Sequence, residues 1–206
     1  MTHVILDEFY QKRQEPMFLN YAKQYTDMPF LITLDRYEDS YKAGRFLRAS
    51  DLGSDAEHAE WKPVIYDETT SEIIVQNGTM GQRWEEDAKW NLILDNEDGT
   101  RVEPALSIAD HGAEWEEIVF PYFDNVSNGT FKRPIPAKKV LMADGTERLV
   151  TTVHDLMLSQ YGINRIGSDL EASGYDDATS FYTPAWQEKI TNVKPELVTQ
   201  IAREFA

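Results

Sequence analysis

The sequence predicts a mixed α and β fold with helices at both ends and a β-rich stretch between them. The first and last segments place apolar residues at helical spacing, whereas residues 62–150 hold short apolar runs separated by turn dipeptides. Charge supports the same division, because residues 51–131 carry 19 acidic and four basic residues, −15 of the net −16. This change in charge along the chain indicates a central segment with its own solvent-facing surface, or an acidic face on one ordinary domain.

The chain begins with a helical pattern, HVILDEFYQKRQEPMFLNYAKQY (3–25). Val4, Ile5 and Phe9 mark an apolar face, and Pro16 divides the stretch into two helical segments, since proline interrupts the hydrogen bonds of a helix. After a turn, FLITL (30–34) predicts a buried strand, and the residues from 40 to 52 predict a loop or a strand. Three arginines, Arg36, Arg45 and Arg48, lie close together in this region.

The middle of the chain predicts short strands. Asn-Gly and Asp-Gly dipeptides are typical of tight turns, and Asp144-Gly145 lies between two apolar runs as the tip of a hairpin. The runs are PVIYD (63–67), EIIVQ (72–76), NLIL (91–94), EEIVFPYF (116–123), VLMA (140–143) and TERLV (146–150).

Three helices are predicted after the strands. Thr152 and Asp155 form a T-x-x-D capping box before a helix, and Pro184 and Pro195 stand in the first turns of two more. The last helix carries an apolar stripe of Leu197, Val198, Ile201, Ala202 and Phe205 without a stop signal. Because such a stripe needs a partner, the sequence predicts self-association or mutual packing of the two terminal helices.

Composition excludes several classes of protein. Without cysteine, the chain has no disulfide, no thiolate metal site, no cysteine-ligated iron–sulfur cluster and no cysteine nucleophile. The net charge of −16 argues against nucleic-acid binding, which needs a basic surface. No signal peptide or membrane-spanning run is present, so we expect a cytoplasmic protein.

The candidate metal-binding residues and glycosylation motifs are better explained as structural features. The histidines His3, His58, His111 and His154 are scattered without metal-ligand spacing. DNEDG (95–99) breaks the spacing of a calcium loop and predicts a hairpin turn. Asn77, Asn125 and Asn128 begin N-x-S/T triplets, but in a chain without a secretion signal they predict turns.

Two further pairs are candidate functional groups. His154 and Asp155 could be a base and its orienting acid, but neighbours on a helix point about 100° apart, so capping by Asp155 explains them better. Arg45 and Arg48 could hold an anionic group, and the alternative is that they pair with nearby acidic residues. We therefore assign no catalytic or metal-binding residue from the sequence, and the cofactor-binding residues stay unknown.

Five segments resemble the alpha, catalytic subunit of membrane-associated respiratory nitrate reductases, in the molybdopterin oxidoreductase superfamily. They are AGRFLRASDL (43–52), GQRWEEDAKWNL (81–92), VFPYF (119–123), LVTTVHDLMLSQYGINR (149–165) and SFYTPAWQEKITNVKPELVTQIAREFA (180–206). The resemblance runs in order from Thr2 to Ala206. It implies that the terminal helices belong to a dinucleotide-binding-type α/β region, with an acidic β-rich insertion between them.

The resemblance also has gaps. Family members are several times longer, and this chain has neither the His-and-Cys motif of the four-iron cluster nor the segment that provides the aspartate ligand of molybdenum. We therefore expect an internal fragment with three parts, 1–50 as helical start and strand, 51–150 as the insertion and 151–206 as a helical return. No cofactor is expected in this chain alone.

The resemblance implies a role in the two-electron reduction of nitrate to nitrite at a molybdenum bis(molybdopterin guanine dinucleotide) centre. Its implied partners are the remainder of the alpha chain, an iron–sulfur beta subunit and a membrane quinol-oxidising gamma subunit, on the cytoplasmic side of the membrane. The isolated chain is expected to be inactive. Two alternatives stay open: an autonomous acidic protein-interaction module, and a segment of a related molybdenum enzyme acting on another oxyanion.

Overall fold

The computed structural model of the chain describes residues 1–76, 94–95, 99–121 and 129–206. Helices occupy both ends and strands occupy the middle, so the predicted mixed α and β class is confirmed. The assignment of the terminal helices to a dinucleotide-binding-type α/β region and the division at residues 50 and 150 stay predictions.

The helices agree with the local sequence signals. The break predicted near Pro16 is confirmed, because α1 and the π-helix that continues it end before α2 begins at that proline. Thr183 caps α4 through its hydroxyl, which accepts a hydrogen bond from the backbone N–H of Trp186 at 3.0 Å. The helices are α1 (Thr2–Ile5), the π-helix (Leu6–Lys12), α2 (Pro16–Tyr25), a 3₁₀-helix (Ala49–Leu52), α3 (Val153–Gln160), α4 (Pro184–Thr191) and α5 (Pro195–Phe205).

Strands are found at most of the predicted apolar runs. The described strands are β1 (Leu31–Tyr37), β2 (Ser40–Phe46), β3 (Val64–Asp67), β4 (Glu72–Val75), β5 (Glu114–Pro121), β6 (Thr130–Leu141) and β7 (Glu147–Thr152). The predicted tip at Asp144-Gly145 joins β6 to β7, and Gly145 has a φ of +80°, a conformation that glycine adopts readily. Of the NLIL run, residues 91–93 lie outside the described residues, and so does the predicted turn at 77–78.

Five strands close into a barrel in the order β1-β2-β5-β6-β7, and β3 and β4 form a separate two-stranded sheet. Along β1, Leu34 is opposite Ala43 of β2 and Leu149 of β7. Gly44 in β2 permits a close approach, because a Cβ at this position would lie 2.8 Å from the backbone oxygen of Thr33. Barrel closure leaves no free edge on these strands, which removes a site of unwanted strand pairing.

The chain divides into two compact units. The first contains Met1–Leu19, Glu117–Ile135 and Leu156–Ala206, and the second contains Asn20–Glu116 and Pro136–Asp155. In the first unit the aromatic rings of Phe131, Phe181, Tyr182 and Trp186 pack together, with centroid separations of 4.9–5.9 Å. Among the described residues, one core cluster of the second unit includes the buried residues Leu31, Leu47, Val64, Tyr66, Ile108 and Val150, and another contains Phe30, Ile65 and Val102.

The final helix packs in part against the first one. Val198 and Ala202 of α5 are buried, and α5 contacts α1 within the first unit. The predicted mutual packing of the terminal helices is therefore observed for part of the stripe, whereas self-association stays a prediction.

Candidate functional site

The longest irregular stretch among the described residues runs from Tyr161 to Tyr182, between α3 and α4 in the first unit. Loops of this length without helix or strand usually have a function or are disordered. This one is held by partly buried hydrogen bonds. The carboxylate of Glu171 accepts hydrogen bonds from the backbone N–H groups of Arg165 at 2.8 Å, Ile166 at 3.2 Å and Ser168 at 2.9 Å.

Asp177 organises the second half of this loop. Its carboxylate accepts hydrogen bonds from the backbone N–H and hydroxyl groups of both Ser173 and Thr179, and from the backbone N–H of Ser180, at 2.7–3.2 Å. These bonds, above all the one from the Thr179 hydroxyl, lower the pKa of Asp177 against the opposing effect of burial. The side chain is therefore a stable anion at neutral pH.

A buried cation connects the two halves of the loop. The guanidinium of Arg133, in β6, donates hydrogen bonds to the backbone oxygen of Leu170 and to the hydroxyl of Ser180. Burial lowers the pKa of Arg133, while the negative charges of Asp177 and Glu171 act in the opposite direction. The arginine stays charged, since a guanidinium is not deprotonated in proteins, and it can satisfy several carbonyl groups at once.

A second charged cluster joins the loop to the helices of this unit. The hydroxyl of Tyr175 lies 2.7 Å from Asp7 Oδ2 and 3.0 Å from Glu8 Oε1, so its single hydrogen can be donated to only one of them at a time. Burial, and then the two carboxylates, raise the pKa of Tyr175. Lys12 forms an ion pair with Asp7 at 2.6 Å. The phenol therefore stays protonated and acts as a hydrogen-bond donor.

A polar cleft of about 430 Å³ lies next to this cluster. His3, Asp7, Lys12, Asn164 and Tyr175 are among the residues that line it. Burial lowers the pKa of His3, so its ring is neutral at pH 7, and Nδ1 is in hydrogen-bond contact with the backbone oxygen of Tyr161. The cleft can form hydrogen bonds with a small polar group. None of these side chains is arranged as an activated nucleophile.

In a comparison with known proteins, the chain is similar to nitrate reductase alpha chains from several bacteria. The nitrate reductase alpha chain of Bacillus subtilis (strain 168) is 47% identical over 207 aligned residues, covering 100% of this chain and 17% of that protein. The respiratory nitrate reductase 1 alpha chain of Escherichia coli (strain K12) is 40% identical, and the nitrate reductase alpha subunit of Mycobacterium tuberculosis (strain CDC 1551 / Oshkosh) is 41% identical. Both alignments cover the whole of this chain, and 18% and 17% of those proteins.

The chain matches a segment of nitrate reductase alpha chains throughout its length. The family resemblance predicted from the sequence is therefore confirmed. The chain spans less than a fifth of the length of these relatives. No protein-family model matches the chain.

The two arginines that could form an anion site, Arg45 and Arg48, have other partners. Arg45 forms a two-pronged ion pair with Asp51, with distances of 2.7 and 2.6 Å. The hydrogen bonds and opposite charges of this pair raise the pKa of Arg45 and lower the pKa of Asp51. Arg48 donates a hydrogen bond to the backbone oxygen of Trp61 at 2.9 Å. The pairing interpretation is correct for Arg45, whereas the guanidinium of Arg48 binds a carbonyl group and forms no ion pair among the described residues.

Asp155 has a larger structural role than the sequence indicated. The predicted capping is observed, because the backbone N–H of Asp155 donates to the hydroxyl of Thr152 at 2.9 Å. In addition, the buried carboxylate accepts hydrogen bonds from the Ser107 hydroxyl at 2.7 Å and the Ile108 backbone N–H at 3.0 Å. It thereby fixes a segment 47 residues away in sequence. His154 is buried in the second unit beside Asp155 in sequence.

The remaining candidates are dispersed. His58 lies near Glu57, and the ring of His111 packs against Tyr66 with centroids 5.0 Å apart. Residues 96–98 of the predicted turn lie outside the described residues, as do Asn77, Asn125 and Asn128. The backbones of Asp95 and Arg101 form an isolated antiparallel β-bridge.

The part of the chain that the structure describes contains no group of three His, Cys, Asp or Glu side chains that could hold a metal ion. Within it, no helix has the length and apolarity to cross a membrane.

The residues that sequence reasoning missed are Glu8, Arg133, Glu171, Asp177 and Arg203. All are charged groups whose partners lie far away or in an irregular loop, so periodicity does not reveal them. The one available signal was the high content of Ser, Thr, Asp and Gly between 167 and 183, which is typical of loops held by side chain to backbone hydrogen bonds.

Proposed function

We propose that this chain forms an interior structural part of the catalytic subunit of a molybdenum-dependent nitrate reductase, which reduces nitrate to nitrite in anaerobic respiration. The observation that carries the proposal is identity of 47% along the whole chain with a nitrate reductase alpha chain, over 207 aligned residues for a chain of 206. An alignment so close in length leaves little room for insertions, so the segment has the same extent in both proteins.

The arrangement of charges favours a structural role over a catalytic one. Glu8 is neutralised by Arg203, Tyr175 is held in its protonated form, and Asp177 is occupied by five hydrogen bonds. General acid–base chemistry needs a group whose pKa lies near the working pH and whose proton is free to move. These groups instead fix the loop and the helices around it.

The chain does not fit a cysteine-ligated iron–sulfur cluster, because it contains no cysteine. In our proposal, the molybdenum bis(molybdopterin guanine dinucleotide) and the cluster are held by other parts of the alpha chain. An iron–sulfur beta subunit and a quinol-oxidising gamma subunit supply the electrons, and the catalytic subunit lies on the cytoplasmic side of the membrane.

A segment exchange tests this proposal. The matched segment of the Bacillus subtilis nitrate reductase alpha chain is replaced by these 206 residues, and nitrate reduction with a reduced viologen dye is measured together with molybdenum content. We expect the chimera to keep both, and a deletion of the segment to lose both. A chimera that folds and binds molybdenum but reduces no nitrate would contradict the proposal.

The isolated chain provides the complementary test. We expect it to bind no stoichiometric molybdenum and to reduce no nitrate. Turnover by the purified 206-residue chain would show that it is an enzyme in its own right and would overturn the structural role.

A further inference from the structure

The last helix has a second apolar face that the first unit leaves exposed. Val198 and Ala202 of α5 are buried, but Leu197, Ile201 and Phe205 are 51%, 48% and 77% exposed. These three residues recur every four positions, so they form one stripe along the helix. Only part of the predicted stripe is therefore covered by the described structure.

Two apolar residues that precede α5 in sequence are also exposed. Ile190, near the end of α4, is 56% exposed, and Val193, in the connection to α5, is 37% exposed. Single exposed apolar residues are common, whereas a contiguous row of large ones usually marks a contact surface.

We propose that the stripe formed by Leu197, Ile201 and Phe205 is covered in cis by an apolar segment of the longer alpha polypeptide, outside these 206 residues. The inference rests on the proposed function, since it takes the chain as a segment of such a polypeptide. Its support is length: the chain spans only 17–18% of the three relatives, so most of the polypeptide that could cover the stripe is absent here.

The area of the stripe favours a tethered occupant over a second copy of the chain. Three side chains of this size and exposure offer on the order of 300 Å². A stable interface between separate proteins buries roughly 800 Å² on each partner, because association costs translational and rotational freedom. A segment of the same polypeptide has a high effective concentration at the stripe, so a small apolar surface is sufficient to hold it.

Charge gives a second argument against a second copy. The chain carries a net charge of −16, so two copies repel each other. The polar side of α5 next to the stripe also contains Glu196 and Glu204, and a two-fold helix pair would bring these acidic side chains close together.

The test places one charge on the stripe and the same charge beside it. Ile201→Asp changes the stripe. Gln200→Asp is the matched control, since Gln200 is exposed on the same turn and its side chain donates a hydrogen bond to Glu204. Both variants are introduced into the Bacillus subtilis chimera, and the fraction of folded alpha chain that resists limited proteolysis is measured. We expect about a tenfold loss for Ile201→Asp, because a buried unpaired carboxylate is costly, and no loss for Gln200→Asp.

The isolated chain shows whether the substitution itself disturbs α5. There Ile201 is exposed, so both variants are expected to melt within about 2 °C of the unmodified chain. Equal protease resistance of the two chimeras would overturn the proposal. So would an isolated chain that is dimeric by light scattering and becomes monomeric with Ile201→Asp but not with Gln200→Asp, because the occupant would then be a second copy.

Two readouts separate this inference from the proposed function. Nitrate reduction by the unmodified chimera reports on the proposed function. The difference in protease resistance between Ile201→Asp and Gln200→Asp reports on the stripe, and it can be measured in a folded chimera whether or not that chimera is active.

Discussion

Glu8, in the π-helix near the start of the chain, is bound by Arg203, in the last turn of α5. Arg203 Nη2 lies 2.7 Å from Glu8 Oε1, and Nε lies 2.9 Å from the same oxygen and 3.1 Å from Oε2. Arg13 also donates a hydrogen bond to the Glu8 carboxylate, and the hydroxyl of Tyr175 lies 3.0 Å from Glu8 Oε1. One buried anion thus connects two ends of the first unit that are 195 residues apart.

The π-helix contributes to this arrangement. In an α-helix, consecutive side chains point in different directions, but the wider turn of a π-helix changes their spacing. Asp7 and Glu8 are consecutive and both reach the hydroxyl of Tyr175. Two neighbouring carboxylates of the π-helix thus contact one phenol.

We predict that Glu8→Gln destabilises the first unit. The charge of the ion pair is lost while the shape of the side chain is kept, so the melting temperature should fall by several degrees, as followed by circular dichroism. Glu188→Gln is the matched control, since its ion pair with Lys194 is on the surface and such pairs contribute little. Equal effects of the two substitutions would show that burial of Glu8 does not strengthen its ion pair.

Acidification should weaken the chain partly through Asp177. Because its pKa is lower in the folded chain than in the unfolded chain, its stabilisation is fully present above about pH 4, the ordinary range of an aspartate. It is lost as the pH falls toward the folded pKa. Asp177→Asn should therefore melt several degrees below the unmodified chain at pH 7, and the gap should narrow below about pH 4. A gap that is independent of pH would contradict this role for the charge.

The sequence predicted those elements whose signals are local. Pro16 marks the break between helical segments, Asp144-Gly145 forms a hairpin tip, and Thr152 caps α3, because each effect depends on a few neighbouring residues. The ion pair of Arg45 with Asp51 could also be predicted from the sequence, since the partners are six residues apart.

The sequence did not predict closure of the barrel, the π-helix or the partners of Glu8 and Arg133. Barrel closure depends on pairing between β1 and β7, more than 100 residues apart, and alternation within one strand does not specify its neighbour. The contact of Glu8 with Arg203 likewise depends on how the helices pack. Charged residues in helices are usually solvated, so their sequence pattern did not separate Glu8 from the other acidic residues.

Two adjacent buried threonines should respond differently to the same substitution. The hydroxyl of Thr152 accepts a hydrogen bond from the backbone N–H of Asp155 at 2.9 Å and lies 2.7 Å from the backbone oxygen of Leu106. Among the described residues, the hydroxyl of Thr151 has no hydrogen-bond partner. Thr152→Val should lower the free energy of unfolding by about 2 kcal/mol, because it leaves buried backbone groups unpaired.

Thr151→Val is the matched control and should leave the free energy of unfolding unchanged or raise it by up to about 1 kcal/mol, since a buried unpaired hydroxyl is replaced by a methyl group. Urea denaturation of both variants provides the comparison. The interpretation of Thr152 would be wrong if the two valine variants had the same stability.

Arg133 should be required for order in the loop from Tyr161 to Tyr182. Arg133→Met keeps much of the length of the side chain but removes the donors to Leu170 and Ser180, leaving buried polar groups without partners. We expect a loss of about 2–3 kcal/mol in the free energy of unfolding and faster cleavage within the loop by trypsin or subtilisin. Arg133→Lys should restore little, because an ammonium lacks the planar set of donors that reaches several partners.

Lys132→Met is the control for this prediction, since Lys132 is adjacent in β6 and its ion pair with Glu117 at 3.1 Å is partly exposed. It should leave the rate of loop cleavage unchanged. The loop is held by Arg133 if mass spectrometry places the new cleavage sites between residues 161 and 182 in Arg133→Met alone. Sites spread over the whole chain would indicate global unfolding instead and would contradict a local role for the guanidinium.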